Sequence, residues 1–244
     1  MKKKIWYILF VFFAALFLFS GFMLIRYWRE STASAAYFKN AAALIAPSDE
    51  GAEQSAQEKY AALYEKNPDF LGWISIEGTR VDYPVMQTKD RPNYYLRRNF
   101  EGQPNRHGVP YAAEGCDPGC SDNTILYGHN MNDGSMFADL CLYQSRDFYE
   151  THQTICFDTL AGYGTYRIIA VFQTTAGTED DFAYDRFIQA ASDAEFRDFI
   201  ARCKALSLYE TGVGADYGDK LLTLSTCEYS RKNGRMVVVA KKIS

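Results

Sequence analysis

Residues Ile5 to Ile25 form a strongly apolar run of 21 residues with no charge in it. As a helix it would reach about 31 Å, close to the thickness of a bilayer's hydrocarbon core. Lys2, Lys3 and Lys4 precede the run, whereas Arg26, Arg29 and Glu30 follow it. That bias predicts a single-pass anchor in the cell membrane with a cytoplasmic N-terminus and an extracellular C-terminal domain. The competing reading is a cleaved secretory signal, since Ala33-Ser34-Ala35 is an acceptable small-residue cleavage pattern. The run is longer than the usual signal-peptide core, which favours a retained anchor, and on either reading the domain is exported.

About 210 residues remain, enough for one domain with a core of its own. The formal net charge of -4 offers no basic face, so a nucleic-acid partner is disfavoured. Ser31 to Gln57 is rich in Ala, Ser and acidic residues and contains the breaker Pro47-Ser-Asp-Glu-Gly51. It reads as a partly helical tether. Tyr60, Leu63 and Tyr64 at helical spacing predict a short amphipathic helix over 57–66, ended by Asn67-Pro68.

From Trp73 onward, β-rich segments alternate with turn residues: 72–76, 81–86, 124–127, 166–172, 221–224 and 236–240. This predicts a barrel or a sandwich. One helix stands out over 192–206, with a Ser-x-x-Glu start and Phe196, Phe199, Ile200 and Cys203 on one face. No internal repeat is present.

The chemistry concentrates near the C-terminus. Thr223-Leu-Ser-Thr-Cys227 places a cysteine at a strand end, and Arg235 stands at the start of the next apolar run, Met236–Ala240. A strand end holds a thiol in one place, and a guanidinium one hairpin away can supply fixed positive charge. An ordinary thiol, with a pKa of about 8.5, is only a few per cent ionised at neutral pH, so a nucleophilic cysteine needs a base. The chain has three histidines. His129 ends the apolar run of Thr124–Tyr127, whereas His107 and His152 stand in polar settings and read as solvated loop residues. Arg231 competes with Arg235, but it sits in a polar loop with a turn-prone Asn233-Gly234 pair, while a strand fixes Arg235.

Of the other cysteines, Cys116 and Cys120 bracket a turn and read either as a small disulfide or as two free thiols. They have no second pair to make a zinc site. Cys141, Cys156 and Cys203 read as buried small hydrophobes. No metal or other cofactor is expected.

Asn67-Pro-Asp-Phe-Leu-Gly-Trp73 through Val85-Met-Gln87, Tyr94-Tyr-Leu96, Tyr127-Gly-His129-Asn-Met131 and Thr223–Cys227, in this order, resemble a sortase from about Tyr60 to the C-terminus. The long insert between Thr174 and Lys220 is similar to that of class B members. The resemblance implies a mainly β fold with peripheral helices: a closed barrel with an N-terminal helix and a long helix inserted before the cysteine strand. The expected organisation is an anchor over 1–30, a tether over 31–57 and a catalytic domain over 58–244.

Sortases are membrane-anchored cysteine transpeptidases of Gram-positive bacteria. The resemblance implies that Cys227 attacks a Pro-x-Thr-Gly-like or Pro-x-Thr-Asn-like sorting signal of a secreted surface protein after Thr. His129 would move the proton and Arg235 would hold the oxyanion. The thioester would pass to an amine of a peptidoglycan cross-bridge or stem peptide, or to a pilin lysine. Leu96, Ser225 and Glu228 fall where class B sortases contact the signal peptide. Thr175 and Phe182 lie in the loop leading to the inserted helix, which forms one groove wall in that class. For Leu96 and Phe182 packing is an equal alternative, and Tyr127 and Asn130 either orient His129 or serve the turn. A purely hydrolytic surface protease would use the same Cys and His. A non-catalytic binding barrel would need neither.

Overall fold

The computed structural model describes residues 2–46, 54–176 and 182–244. The Pro47–Gly51 breaker and the middle of the acidic Thr174–Asp185 loop lie outside them. Helix α1 (Lys2–Ala42) carries the apolar run and continues without a break into the Ala-rich segment beyond it. Its apolar window has a mean hydropathy of 2.8 and is 0% buried; Trp6 and Tyr7 stand at the start of the run, and Tyr27 and Trp28 just beyond its end. Interfacial aromatics at both ends of an apolar stretch suit a bilayer-crossing segment. Farther along, the helix meets the domain: Phe38 packs edge-on against Tyr83 at 4.9 Å, and Ser34 and Ala41 are buried.

Helix α2 (Ala56–Lys66) begins at Ser55, whose hydroxyl accepts from Glu58 N–H while the Glu58 carboxylate accepts from Ser55 N–H. This reciprocal cap satisfies two otherwise open donors. Its buried Tyr60 and Leu63 rest on Phe70 and Trp73 in one apolar cluster.

The remaining elements are β1 (Phe70–Ser75), β2 (Asp82–Met86), β3 (Tyr111–Ala112), β4 (Asn123–Tyr127), α3 (Arg146–Thr151), β5 (Thr154–Thr159), β6 (Thr165–Thr175), α4 (Asp193–Leu206), β7 (Leu221–Cys227) and β8 (Gly234–Lys242). The strands close into a barrel in the order β1-β2-β3-β4-β7-β8-β6-β5. The pairs β2–β3 and β4–β7 are parallel and the others antiparallel. A closed barrel leaves no free sheet edge. This is the expected architecture, with α4 inserted ahead of the Cys227 strand. Strands β3 and β5 are additions to the elements anticipated from sequence.

The side-chain alternation of a strand explains the two-layered packing around β8. Met236, Val238 and Ala240 point into the barrel with Leu222, Leu224 and Ile168. Val237 and Val239 point outward, where Phe196, Phe199, Ile200 and Cys203 of α4 cover them. Helix α4 starts at Ser192, whose hydroxyl accepts from Glu195 N–H. The Glu195 carboxylate reaches Ala191 N–H rather than that of Ser192, so the expected Ser-x-x-Glu start is realised with a one-residue offset.

Candidate active site

Strand register brings the three chemical residues into one row. β4 and β7 run parallel with Tyr127 opposite Ser225, so the chain leaving β4 travels beside the end of β7. The pairing continues past the strand: Gly128 N–H donates to Ser225 O at 3.2 Å and Thr226 Oγ donates to Gly128 O at 2.8 Å. Two residues beyond the Tyr127–Ser225 pair, His129 reaches the level of Cys227. On the other side β8 runs antiparallel, with Arg235 directly opposite Cys227. Opposed residues share a face, and neighbouring strands lie about 4.8 Å apart. His129, Cys227 and Arg235 thus stand abreast across three neighbouring chain segments.

All three line an open cleft of about 460 Å³, together with Leu96, Ser225, Tyr127 and Tyr184. Gly128 permits the close turn into His129: a Cβ there would sit 2.5 Å from the Phe137 ring. Arg235 Nη1 donates to the carbonyls of Asn233 and Gly234 at 3.3 and 3.0 Å. Among the described residues those are its hydrogen bonds, so Nε and Nη2 remain as donors to the cleft. Arg231 is exposed, reaches Gln173, and is not part of the cleft lining.

His129 Nε2 lies 2.7 Å from the carbonyl oxygen of Leu96. A carbonyl can only accept, so Nε2 carries the ring proton and Nδ1 is the basic nitrogen. Burial pushes the His129 pKa below its ordinary value; the Leu96 carbonyl opposes that shift, and the Arg97 charge adds to it. The ring is therefore mainly neutral at pH 7, the form able to accept a proton. Asn130 does not hold the imidazole. Its amide donates to Cys227 O at 2.9 Å and to Cys141 Sγ at 3.3 Å, tying the His129 turn to the end of β7.

A sequence model of the sortase domain matches residues 74–243. The chain belongs to the sortase family. Sortase B of Listeria monocytogenes is 35% identical over 185 residues, covering 75% of this chain and 73% of that protein. Sortase B of Staphylococcus aureus is 34% identical over 194 residues, covering 78% and 77%. Among solved structures, sortase B from Bacillus anthracis in complex with AAEK1 superposes with a TM-score of 0.78 at 31% identity, covering 89% of this chain and 99% of that one. The Staphylococcus aureus sortase B–substrate complex does so with the same TM-score at 30% identity, covering 88% and 99%. Membership places this sortase with the class B cysteine transpeptidases.

The expected substrate contacts divide. Leu96 and Ser225 line the cleft of the sortase. Ser225 shares a 2.7 Å hydrogen bond with the Tyr184 hydroxyl. Thr175 pairs with Gly234 at the end of β6, one residue short of Ala176 in the lining. Phe182 instead packs against Phe172 and Phe199, between sheet and α4. Glu228 is also outside the lining: it is buried, and its carboxylate accepts from the N–H and hydroxyl of Ser230, where it shapes the β7–β8 turn.

Tyr111, Asn93, Glu114, Tyr184 and Asp185 line the cleft without having been anticipated. Tyr111 sits in a two-residue strand and Tyr184 in a short turn, and neither leaves a periodic signal. Tyr111 donates to Asn93 Oδ1 at 2.7 Å, and burial pushes the Tyr184 phenol up to about 12.

His107 corrects the reading of it as a solvated loop residue. It is 2% exposed, with Nδ1 3.2 Å from Ser34 Oγ and Nε2 2.9 Å from Asp133 Oδ2. It was misread because its partners come from α1 and from the His129 loop, far away in sequence. His152 is half-buried and stacks on Phe148. Cys203 is buried as expected, but Cys156 is exposed and Cys141 only half-buried; Cys116 and Cys120 are both free thiols.

Proposed function

We propose that this sortase is anchored in the membrane by Ile5–Ile25 and uses Cys227, His129 and Arg235 to cut a secreted protein's C-terminal sorting signal after Thr, in a Pro-x-Thr-Gly-like or Pro-x-Thr-Asn-like sequence. The observation that carries this reading is the alignment of the three side chains on one cleft, with His129 Nε2 turned to the Leu96 carbonyl so that Nδ1 is left as the basic nitrogen. Cys227 Sγ attacks the Thr carbonyl carbon while its proton passes to His129 Nδ1. Arg235, with a backbone N–H near Cys227, holds the oxyanion. The C–N bond then breaks, the imidazolium protonates the leaving amine, and a thioester remains. An acceptor amine of peptidoglycan attacks the thioester, its proton goes to His129, and the Cys227 sulfur is released.

The test is incubation with fluorogenic Pro-x-Thr-Gly and Pro-x-Thr-Asn peptides, with and without glycine-type or diaminopimelate-type amines, beside Cys227→Ala. Cleavage that needs Cys227 and yields an amine-linked product is expected. Cys227-dependent hydrolysis that no amine diverts would point to the protease reading, and a lysine-bearing pilin acceptor outcompeting cell-wall amines would point to pilus polymerisation. Full activity of Cys227→Ala would sink the mechanism.

A further inference from the structure

Outside the catalytic cleft, an open cavity of about 470 Å³ lies between α1 and the 97–106 segment, with Arg26, Glu30, Tyr37, Arg97, Asn105 and Arg106 in its walls. Three guanidiniums face one carboxylate there. Glu30 is shared between Arg26 at 3.3 Å and Arg106 at 3.9 Å, and Arg97 stands outside both pairs. The Arg26 and Arg106 side chains are 58% and 60% exposed. A mainly exposed, net cationic hollow of this kind selects an anion.

Its depth says where that anion comes from. Arg26 directly follows the apolar run, and α1 is continuous there, so Arg26 and Glu30 stand about 1.5 and 7.5 Å beyond Ile25 along the helix axis. The headgroup layer occupies about 5–7 Å on each side of the hydrocarbon core. The Arg106 guanidinium lies 6.0 Å from the Tyr27 ring, at the same level. Tyr27 and Trp28 are the aromatic types that settle at this interface. The two walls cannot drift apart freely. Ser31 donates to Asp133 at 2.7 Å, and Ser34 joins Asn105 and His107.

We propose that this cavity binds the phosphate of an anionic membrane lipid headgroup, held by Arg26, Arg97 and Arg106. The inference rests on the reading of Ile5–Ile25 as bilayer-spanning. The site would fasten the membrane-facing side of the barrel to the bilayer surface.

The full chain in nanodiscs of phosphatidylcholine and phosphatidylglycerol provides the test. Co-elution with the discs examines the anchor alone; a chain that stays outside them defeats the spanning reading, and this proposal with it. Native mass spectrometry of the incorporated chain then counts retained lipid. Preference for phosphatidylglycerol is expected, falling about fivefold for each arginine removed in Arg97→Gln/Arg106→Gln. Arg146→Gln/Arg202→Gln, outside the cavity, should leave it unchanged. Displacement of the lipid by inorganic phosphate would show that the phosphate itself is recognised. Equal retention by wild type and Arg97→Gln/Arg106→Gln in disc-incorporated chains overturns the proposal, and phosphate binding without phosphatidylglycerol retention overturns the lipid source.

Discussion

At the residue scale, the site's chemistry turns on which side chains the strand ends can hold abreast. Arg235 and Arg231 are four positions apart, yet one faces Cys227 across a ladder and the other lies out on Gln173. Arg235→Ala should therefore lower kcat about 100- to 1000-fold, as loss of an oxyanion donor does. Arg235→Lys should remain impaired because a point charge does not replace the planar fork. Arg231→Ala should stay within about twofold of wild type, as surface substitutions usually do. Steady-state kinetics on one peptide separates the three. Burial and the Arg97 charge both favour the neutral His129 ring, so the acid limb of kcat/KM should fall below the ordinary histidine pKa of about 6.5. Removing the charge in Arg97→Gln raises the His129 pKa and should move that limb to higher pH. A wild-type acid limb well above about 6.5 would mean that His129 is not the group titrating. The convergence of Cys227, His129 and Arg235 on one cleft was legible because each adjoins an apolar run that reads as a strand. Glu228 and Phe182 lie outside the cleft lining, because adjacency in sequence does not say which face a side chain takes; for Phe182 the packing alternative is the one that the aromatic contacts favour.

At the scale of elements, α4 shows how an insert becomes a wall. Its apolar stripe was plain in the sequence, and the structure spends that stripe on the outer faces of β6 and β8. Tyr184, between β6 and α4, then reaches Ser225 on the cleft floor. Phe196 is fully buried in this layer, so Phe196→Ala should cost about 3–5 kcal/mol. Chemical denaturation measures it, and a loss below about 1 kcal/mol would mean that the helix is not packed as described. Two strands escaped sequence reading for physical reasons. In β5 only Ile155 and Phe157 point inward, too few to stand out as an alternation, and β3 is two residues long. The cap of α2 was also missed, because Ser55 lies at the edge of a segment read as tether.

At the scale of the whole molecule, α1 and the barrel are joined by a half-buried polar latch. Asp133, on the loop that carries His129, accepts from Ser31, Ser135 and His107. Burial opposes its charge, but these hydrogen bonds outweigh it and hold its carboxyl well below the usual carboxylate range. A depressed carboxylate contributes stability that is present above its unfolded pKa and is lost as pH falls through the lower folded one. The latch should accordingly persist through mildly acidic conditions and fail only below the ordinary Asp value of about 3.9. None of this was legible locally, since Ser34, His107 and Asp133 are brought together only by the closed barrel and the length of α1. Two truncations test the arrangement. A chain starting at Ser31 keeps every latch residue and should match the full chain in peptide cleavage within about twofold, since nothing lining the catalytic cleft is removed. A chain starting at Gln54 loses Ser31, Ser34, Phe38 and Ala41 and uncovers Tyr83, the buried His107 and Asp133. At about 2–4 kcal/mol for the lost packing and hydrogen bonds, its thermal midpoint should fall by about 5–10 °C. Asp133→Asn in the Ser31 chain should lower the midpoint in the same direction and remove the acid sensitivity. If the Gln54 chain melts with the Ser31 chain at neutral pH, the latch is a contact without energetic weight, and the position of α1 against the barrel must be set elsewhere.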